Sequence, residues 1–427
     1  GLWNDRDVIV KVFSHKISAK RHLKREWRGL SILRQRGLSS PEPLFFGQTE
    51  DGQWTVVVEK IINALTIGEV WDNTTDAGKK RELLCAVSGE LAKQHSKGVL
   101  QKDLHLGNFL LSGDKVFTLD LGQMQFFSRP ITRSKSISQL ASLACYLAAS
   151  DTESIARLCE EYFKAHCWRF SKSDELFLQK QLTVNRKRGV SKGLKKCLRT
   201  SKRHLQLKFR IQKFVAVFDR DFCQTTEPLD FIEQIDALMD GGQILKHGRT
   251  SYVSRIGWNG KDVVVKRYNH KGFIHSLRHT IKGSRARRGW LHAHRLGMLN
   301  IATPRPLAYI EQRKRMLVWK SYLITEYVEG QRLYDFLRDS KTGEEERSKV
   351  SGQVWELFER LGEYRISHGD LKHSNILITG NVPVLTDLDG VKVHKWNWIY
   401  RMRRRKDLRR FRKQLPECSC RSLFEKV

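Results

Sequence analysis

The chain has 427 residues, enough for two or three domains at about 100–200 residues each and too many for a single small module. Hydrophobic residues make up 40%, and only 8 prolines and 30 glycines occur, which excludes collagen-like and disordered composition. Lysine plus arginine outnumber aspartate plus glutamate by 78 to 46, and the resulting +32 attracts nucleic acid, anionic lipid or phosphorylated substrates without choosing among them.

In chain order, Val8-Ile9-Val10-Lys11-Val12-Phe13 predicts a buried strand, followed by a long basic helix and the break Pro41-Glu42-Pro43. A strand at Trp54 to Val58 and an amphipathic helix from Arg81 to His95 come next. Short apolar strands such as Phe109-Leu110-Leu111 then flank a run of Asp and Asn residues. The region from about 186 to 240 is basic and expected to be helical. Beyond it the same order returns: Val263-Val264-Val265-Lys266, a basic helix, Pro304-Arg305-Pro306, Tyr322 to Thr325, a helix from Arg347 to Leu361, and Ile376-Leu377-Ile378. The pattern predicts an α+β fold with a small antiparallel sheet lobe followed by a helical lobe, twice: 1–185, a basic helical connector 186–240, and 241–427.

The recurrence is exact in spacing. Glu59, Asp103, Asn108 and Asp120 return as Glu326, Asp370, Asn375 and Asp387, each displaced by 267 positions. Further upstream, Trp27, Pro41 and Pro43 return as Trp290, Pro304 and Pro306, displaced by 263. One long period of this kind indicates a tandem duplication rather than a solenoid. The excess charge sits in three stretches, Arg186 to Lys213, Val263 to Ile310 and Lys392 to Lys413, the first two without an acid and the third with only Asp407. The positive field is therefore patchy.

The eight cysteines (Cys85, Cys145, Cys159, Cys167, Cys197, Cys223, Cys418, Cys420) form no CxxC pair, which predicts thiols in a reducing cytosol. His15, His22, His275, His292 and His294 have no metal-ligand spacing and are expected to be surface or core residues rather than zinc ligands. The longest nearly apolar stretch, Leu140 to Ala149, is too short to span a bilayer, so a soluble or peripheral protein is expected. The sequence opens at Gly1 without an initiator Met, already strand-like, which suggests a further piece upstream. Trp396 and Trp398, beside the Arg401 to Arg412 run, are expected to be core anchors rather than an interfacial belt.

Phosphoryl transfer needs a cation on the triphosphate, ligands for Mg²⁺ and a carboxylate that orients the attacking hydroxyl. Each half carries those parts. Asp103-Leu104-His105-Leu106-Gly107-Asn108 and Asp370-Leu371-Lys372-His373-Ser374-Asn375 place a carboxylate and an amide five residues apart, and Asp120 and Asp387 follow 12 residues after the Asn. A hairpin of that length returns the second Asp to face the Asn, and such hard oxygen ligands suit Mg²⁺.

These residues resemble a known family. His368-Gly369-Asp370-Leu371-Lys372-His373-Ser374-Asn375 followed by Thr386-Asp387-Leu388-Asp389-Gly390 is similar to the catalytic and metal loops of the protein-kinase-like superfamily, in its bacterial lipopolysaccharide kinase branch. Asp103-Leu104-His105-Leu106-Gly107-Asn108-Phe109-Leu110, with His two places after the Asp, resembles the Kdo and heptose kinases of the lipopolysaccharide inner core. The resemblance implies that Lys11 and Lys266 hold the α and β phosphates of ATP, and that Asp103 and Asp370 orient the acceptor hydroxyl. By the same carry-over, Asn108 with Asp120 and Asn375 with Asp387 are Mg²⁺ ligands, Glu59 and Glu326 mark the hinge beside the adenine, and Glu26 is the helix acid that pairs the strand lysine. The second half departs from the pattern, since Gly289 stands where Glu26 does and no carboxylate occurs from 263 to 310. A second site with another nucleotide mode, a local substitute, or a loss of activity all remain open. Gly248-Arg249-Thr250-Ser251-Tyr252-Val253 is only part of a phosphate-covering GxGxxG pattern, and the first half has almost nothing before Val8 where such a loop belongs.

The expectation from the resemblance is an ATP- and Mg²⁺-dependent kinase for a Kdo or heptose hydroxyl of a lipopolysaccharide precursor. It would act as a peripheral protein at the cytoplasmic face of the bacterial inner membrane, its basic patches meeting the phosphorylated acceptor and anionic headgroups. Two alternatives stand beside it. A protein Ser/Thr kinase is conceivable from Lys372, although Lys102 and Gly369 replace the HRD arginine and no APE segment follows. A pseudokinase or basic scaffold would also explain the charge, but no specific nucleic-acid partner is expected, because no helix-turn-helix, zinc or RNA-binding motif occurs.

Overall fold

A computed structural model describes residues 1–13, 18–147, 151–209, 214–223, 228–248, 250–269, 280, 283–314, 317–413 and 424. His15, Arg249, His275, Cys418, Cys420 and the last two residues of the Leu140–Ala149 stretch lie outside them. The chain forms two compact units, Gly1–Arg186 and Lys187–Val427. Both mix helices with antiparallel sheets.

In the first unit four strands lie in the order Leu2–Trp3, Arg6–Phe13, Trp54–Glu59, Pro43–Gln48, all antiparallel. Helix Ala19–Gln35 packs on this sheet because Ala19, Leu23, Glu26, Leu30 and Leu33 recur every three or four residues and so share one buried face. Glu26 is the only acid on that stripe, and the packing that buries the leucines therefore aims its carboxylate inward. Gly29 lets the helix approach the Leu121–Gln123 turn, since a Cβ there would stand 2.5 Å from Leu121 Cβ. A second core forms among the helices, where Ala77–Ser96, Arg133–Ala144 and Thr152–Ala165 bury Leu84, Val87, Leu91, Leu140 and Tyr162.

The second unit has a seven-stranded antiparallel sheet in the order His204–Phe209, Phe214–Asp219, Pro306–Lys314, Leu317–Glu326, Lys261–Tyr268, Ser251–Trp258, Gln243–His247. Helix Pro228–Gly241 buries Phe231, Ile232, Ile235 and Met239 against it. Helices Glu344–Glu363 and Asn397–Lys413 belong to a separate core with Val354, Leu361, Ile376, Leu385 and Phe411. The stretch 186–240, expected to be a helical connector, is corrected here. Among the described residues its two ends are helical, in Lys172–Lys196 and Pro228–Gly241, while its middle supplies two strands of the second unit's sheet, followed by the short helix Arg220–Cys223. The physical reason is legible in Leu205, Leu207 and Phe209, which alternate with polar residues, and in the apolar run Phe214–Phe218; basic composition had masked this strand periodicity. Trp396 and Trp398 also depart from expectation. They are 64% and 67% exposed, because the face of helix Asn397–Lys413 that packs inward is set by Tyr400, Asp407 and Phe411.

The register of the two sheets repeats the sequence displacement. Lys11 pairs with Val56 and Val8 with Glu59; Lys266 pairs with Leu323 and Val263 with Glu326. Positions 56 and 323 are themselves 267 apart, so the lysine strands occupy matching places.

One buried histidine makes the first unit acid-sensitive. His95 is wholly buried, with Nδ1 2.5 Å from the Tyr162 hydroxyl, Nε2 2.8 Å from Gln139 Oε1 and the ring of His166 beside it. Burial pushes its pKa down to about 4 from the ordinary 6.5, outweighing the Gln139 hydrogen bond. The unfolded chain therefore takes up a proton that the folded one refuses as pH falls from about 6.5 to 4, a loss of roughly 3 kcal/mol that levels off below that window. Urea midpoints measured against pH are expected to fall across this range, and His95→Gln flattens the slope.

Candidate functional site

In the first unit the strand places Lys11 so that its Nζ reaches Glu26 Oε1 at 3.0 Å and Asp120 Oδ1 at 2.7 Å. Glu26 uses its other oxygen to accept from the Gly122 amide at 2.8 Å, which ties the helix to the turn after Asp120. Burial alone would lower the Lys11 pKa, but the Glu26 and Asp120 carboxylates together hold it above its ordinary value. Lys11 is thus a fixed cation. Asn108 is buried and donates through Nδ2 to the Asp103 carbonyl at 2.9 Å, while its own carbonyl accepts from the Leu119 amide at 2.8 Å. Asp103 and Asp120 are more than half exposed, and His105 Nε2 lies 4.0 Å from Asp103. Glu59 is exposed at the strand end, with its amide bonded to the Glu42 carbonyl.

The second unit repeats this geometry with one exchange. Lys266 Nζ lies 2.6 Å from Asp387 Oδ1 and 2.9 Å from Asp389 Oδ2. Asp389 also accepts from Arg285 Nη2 at 2.6 Å and from the Tyr268 hydroxyl at 2.5 Å. Burial pushes the Asp389 carboxyl up, yet Lys266, Arg285 and the Tyr268 hydroxyl outweigh it and leave the pKa below the ordinary value. Burial and then the Asp389 charge raise Tyr268 well above its own, so it stays a donor. The carboxylate missing from the helix at Gly289 is therefore supplied by the loop. Position 389 corresponds to Gly122 at the 267 displacement, so the two units have traded a helix acid and loop glycine for a helix glycine and loop acid. Sequence reasoning missed Asp389 as Lys266's partner. Comparing the halves at both ends of the pair, rather than at the helix alone, carries the signal.

Asp120 and Asp387 share a left-handed backbone, φ 55° and φ 54°, each opening a 3₁₀ turn. Such φ values are uncommon outside glycine and are most often met at Asn or Asp. Asn375 donates to the Asp370 carbonyl at 2.8 Å and lies 3.4 Å from Asp370 Oδ2, and its carbonyl accepts from the Thr386 amide at 2.8 Å. Lys372 Nζ and Arg410 Nη1 each sit 3.1 Å from an oxygen of Asp370. Glu326 accepts from the Arg305 amide at 2.8 Å through Oε1. A cavity of about 490 Å³ gathers Lys266, Glu326, Lys372, Asn375, Asp387 and Asp389, with Leu245, Val253, Leu323 and Tyr327 among its apolar lining. That volume falls within the range of small-molecule and cofactor sites. Strands Gln243–His247 and Ser251–Trp258 contribute Leu245, Lys246 and Val253 to its wall, where the phosphate-covering loop is expected.

Asp407, the exceptional acid of its basic stretch, ties the Arg-rich helix to the Asp370 loop. Its carboxylate accepts from the His368 amide at 2.8 Å and from the Gly369 amide at 3.0 and 3.1 Å. Gly369 has φ +82°, and a Cβ there would stand 2.6 Å from the Gly390 carbonyl oxygen, so neither the HRD arginine nor any other side chain fits. Asp407→Ala leaves two backbone donors without an acceptor and is expected to cost about 2–4 kcal/mol in denaturant unfolding, with Asp407→Asn losing less.

A family model described as "Lipopolysaccharide kinase (Kdo/WaaP) family" matches residues 7–162 and 237–421, more than three-quarters of the chain. A search of curated proteins finds no match.

Proposed function

Because this chain belongs to the lipopolysaccharide kinase (Kdo/WaaP) family, we propose that it is an ATP-dependent phosphotransferase built from two kinase-like bilobal copies, which phosphorylates a Kdo or heptose hydroxyl of the lipopolysaccharide inner core. The observation that carries this reading is the repeated lysine-to-metal-loop pair, Lys11 with Asp120 and Lys266 with Asp387, each beside an Asn that anchors an Asp loop.

In each copy the strand lysine, Lys11 or Lys266, holds the α and β phosphates, oriented by Glu26 in one and Asp389 in the other. The hinge at Glu59 and Glu326 lies beside the adenine. Asp103 and Asp370 accept the proton of the sugar hydroxyl as its oxygen bonds to the γ-phosphorus and the bond to the β-phosphate bridge breaks. The donor set suits Mg²⁺: Asn375 commits its Nδ2 to the Asp370 carbonyl, leaving Oδ1 as the ligating atom, and Asp387 adds carboxylate oxygen in the same cavity. Asn108 and Asp120 are the matching pair. When bound, Mg²⁺ neutralises charge on the transferring phosphates.

Among the described residues no helix is long and apolar enough to cross a membrane. We place the protein at the cytoplasmic membrane face through helix Asn397–Lys413, where exposed Trp396, Trp398 and Met402 adjoin Arg401, Arg403, Arg405, Arg409 and Arg412. Each basic residue near an anionic surface contributes about 1 kcal/mol, and tryptophan suits the interface.

The test is incubation with ATP, Mg²⁺ and Kdo-bearing lipid A, following phosphate by mass spectrometry. Phosphate on an inner-core sugar supports the reading; no transfer, together with nucleotide binding that ignores Mg²⁺, sinks it.

A further inference from the structure

Three residues distant in sequence meet in the second unit. Cys197 follows helix Lys172–Lys196, His204 opens strand His204–Phe209, and His294 sits on helix Arg285–Met298. One ligand atom from each lies within 4.8 Å of the other two. They are 1%, 4% and 9% exposed. The Nε2 atoms of both histidines have no hydrogen-bond partner among the described residues. Buried polar atoms without a partner are rare and destabilising, so two of them on side chains that meet beside a thiol call for a ligand that satisfies both.

The surroundings orient these rings as metal-binding imidazoles are oriented. His204 Nδ1 lies 3.4 Å from Ser201 Oγ, so a proton on Nδ1 leaves the Nε2 lone pair for a metal. The Trp290 ring packs edge-on against His204 and His294, and its Nε1 donates to the Cys197 carbonyl at 2.9 Å. The nearby acid, Asp219, is engaged by Arg203 at 3.5 Å and Arg305 at 2.9 Å, which leaves the ligand set as one sulfur and two nitrogens.

We propose that Cys197, His204 and His294 bind a zinc ion through Sγ and the two Nε2 atoms, stapling the 197–204 turn to helix Arg285–Met298. A thiolate with two imidazoles selects Zn²⁺ and not the hard Mg²⁺ of the phosphate sites. A tetrahedral zinc sets such ligands roughly 3.3–3.7 Å apart, so side chains that already lie within 4.8 Å of one another need to close by no more than about 1.5 Å on binding. Water takes the fourth position. Binding turns the Cys197 thiol into a thiolate and releases one proton to solvent. The role is structural, fixing strand His204–Phe209 and the helix that carries Gly289.

Elemental analysis of the full-length protein purified without chelator is expected to give about one zinc per chain. Stripping with a chelator lowers the melting temperature, and added Zn²⁺ restores it. Cobalt titrated into stripped protein gives a thiolate-to-metal charge-transfer band, which Cys197→Ser abolishes along with bound zinc, whereas Cys167→Ser and the Cys418→Ser/Cys420→Ser double variant keep both. Ser201→Ala weakens zinc binding about 10-fold. The proposal is overturned by absent zinc with a melting temperature indifferent to chelator and added metal, a measurement that needs no variant. Zinc retained by Cys197→Ser, or lost only with Cys418 and Cys420, overturns it equally.

Discussion

Asp370→Asn is expected to lower phosphate transfer by the second copy about 10²–10⁴-fold, the usual contribution of a general base, the role proposed for it. The Asp370 carboxylate sits between two cations, Lys372 on Oδ2 and Arg410 on Oδ1. An asparagine turns its amide nitrogen toward one of them, so the variant loses both the proposed proton acceptor and the clamp that orients it. Among the described residues the Asp103 carboxylate is paired with His105 alone, at 4.0 Å, and it is 59% exposed, so Asp103→Asn is expected to remove the carboxylate with little rearrangement. The two single variants and the double variant, assayed with ATP and Kdo-bearing lipid A, separate the copies. Nucleotide affinity is expected to hold in all three, because Lys11 and Lys266 keep their partners. Undiminished transfer by the double variant rejects both bases, and loss of ATP binding in either single variant shows that the substitution acted through the fold instead.

The residues with rigid spacing were legible from sequence. The 267-residue displacement found four polar pairs, and the register of Lys11 on Val56 and Lys266 on Leu323 repeats it in space. Fixed loops make such positions readable: a Lys on a strand, an Asp and Asn in one turn, and an Asp opening the next can be located without knowing how lobes pack. Partners chosen by packing were not readable. Asp389 takes the place of Glu26 because packing brings the loop after Asp387 onto Lys266, where the helix offers only Gly289. Strands His204–Phe209 and Phe214–Asp219 were hidden by basic composition, and Trp396 and Trp398 by the assumption that large aromatics go inside. Cys197, His204 and His294 have no periodic spacing at all; a strand and a helix bring them together.

Asp389→Gly is expected to impair the second site most severely short of its base. Lys266 and Arg285 are largely buried, and removing the carboxylate they share costs about 2–4 kcal/mol, below the value for a fully enclosed pair because Lys266 retains Asp387. Lys266 then leans wholly on Asp387, the proposed metal ligand, so the Mg²⁺ needed for nucleotide binding rises as the melting temperature falls. Rebuilding the first unit's arrangement tests the exchange itself. Gly289→Glu alone does not rescue, since a Cβ at 289 would stand 2.7 Å from Leu323 Cδ2. Position 323 corresponds to Val56, a smaller residue in the first unit, and Leu323→Val opens the space. The triple variant Asp389→Gly, Gly289→Glu, Leu323→Val is therefore expected to recover nucleotide affinity that the double variant Asp389→Gly, Gly289→Glu lacks, measured by calorimetric titration with Mg-ATP. Recovery is partial, because Arg285 and Tyr268 lose the acceptor that Asp389 gave them. Equal affinity in the double and triple variants, or no loss in Asp389→Gly, would mean that Lys266 is oriented without a shared carboxylate and that the exchange with Glu26 carries no function.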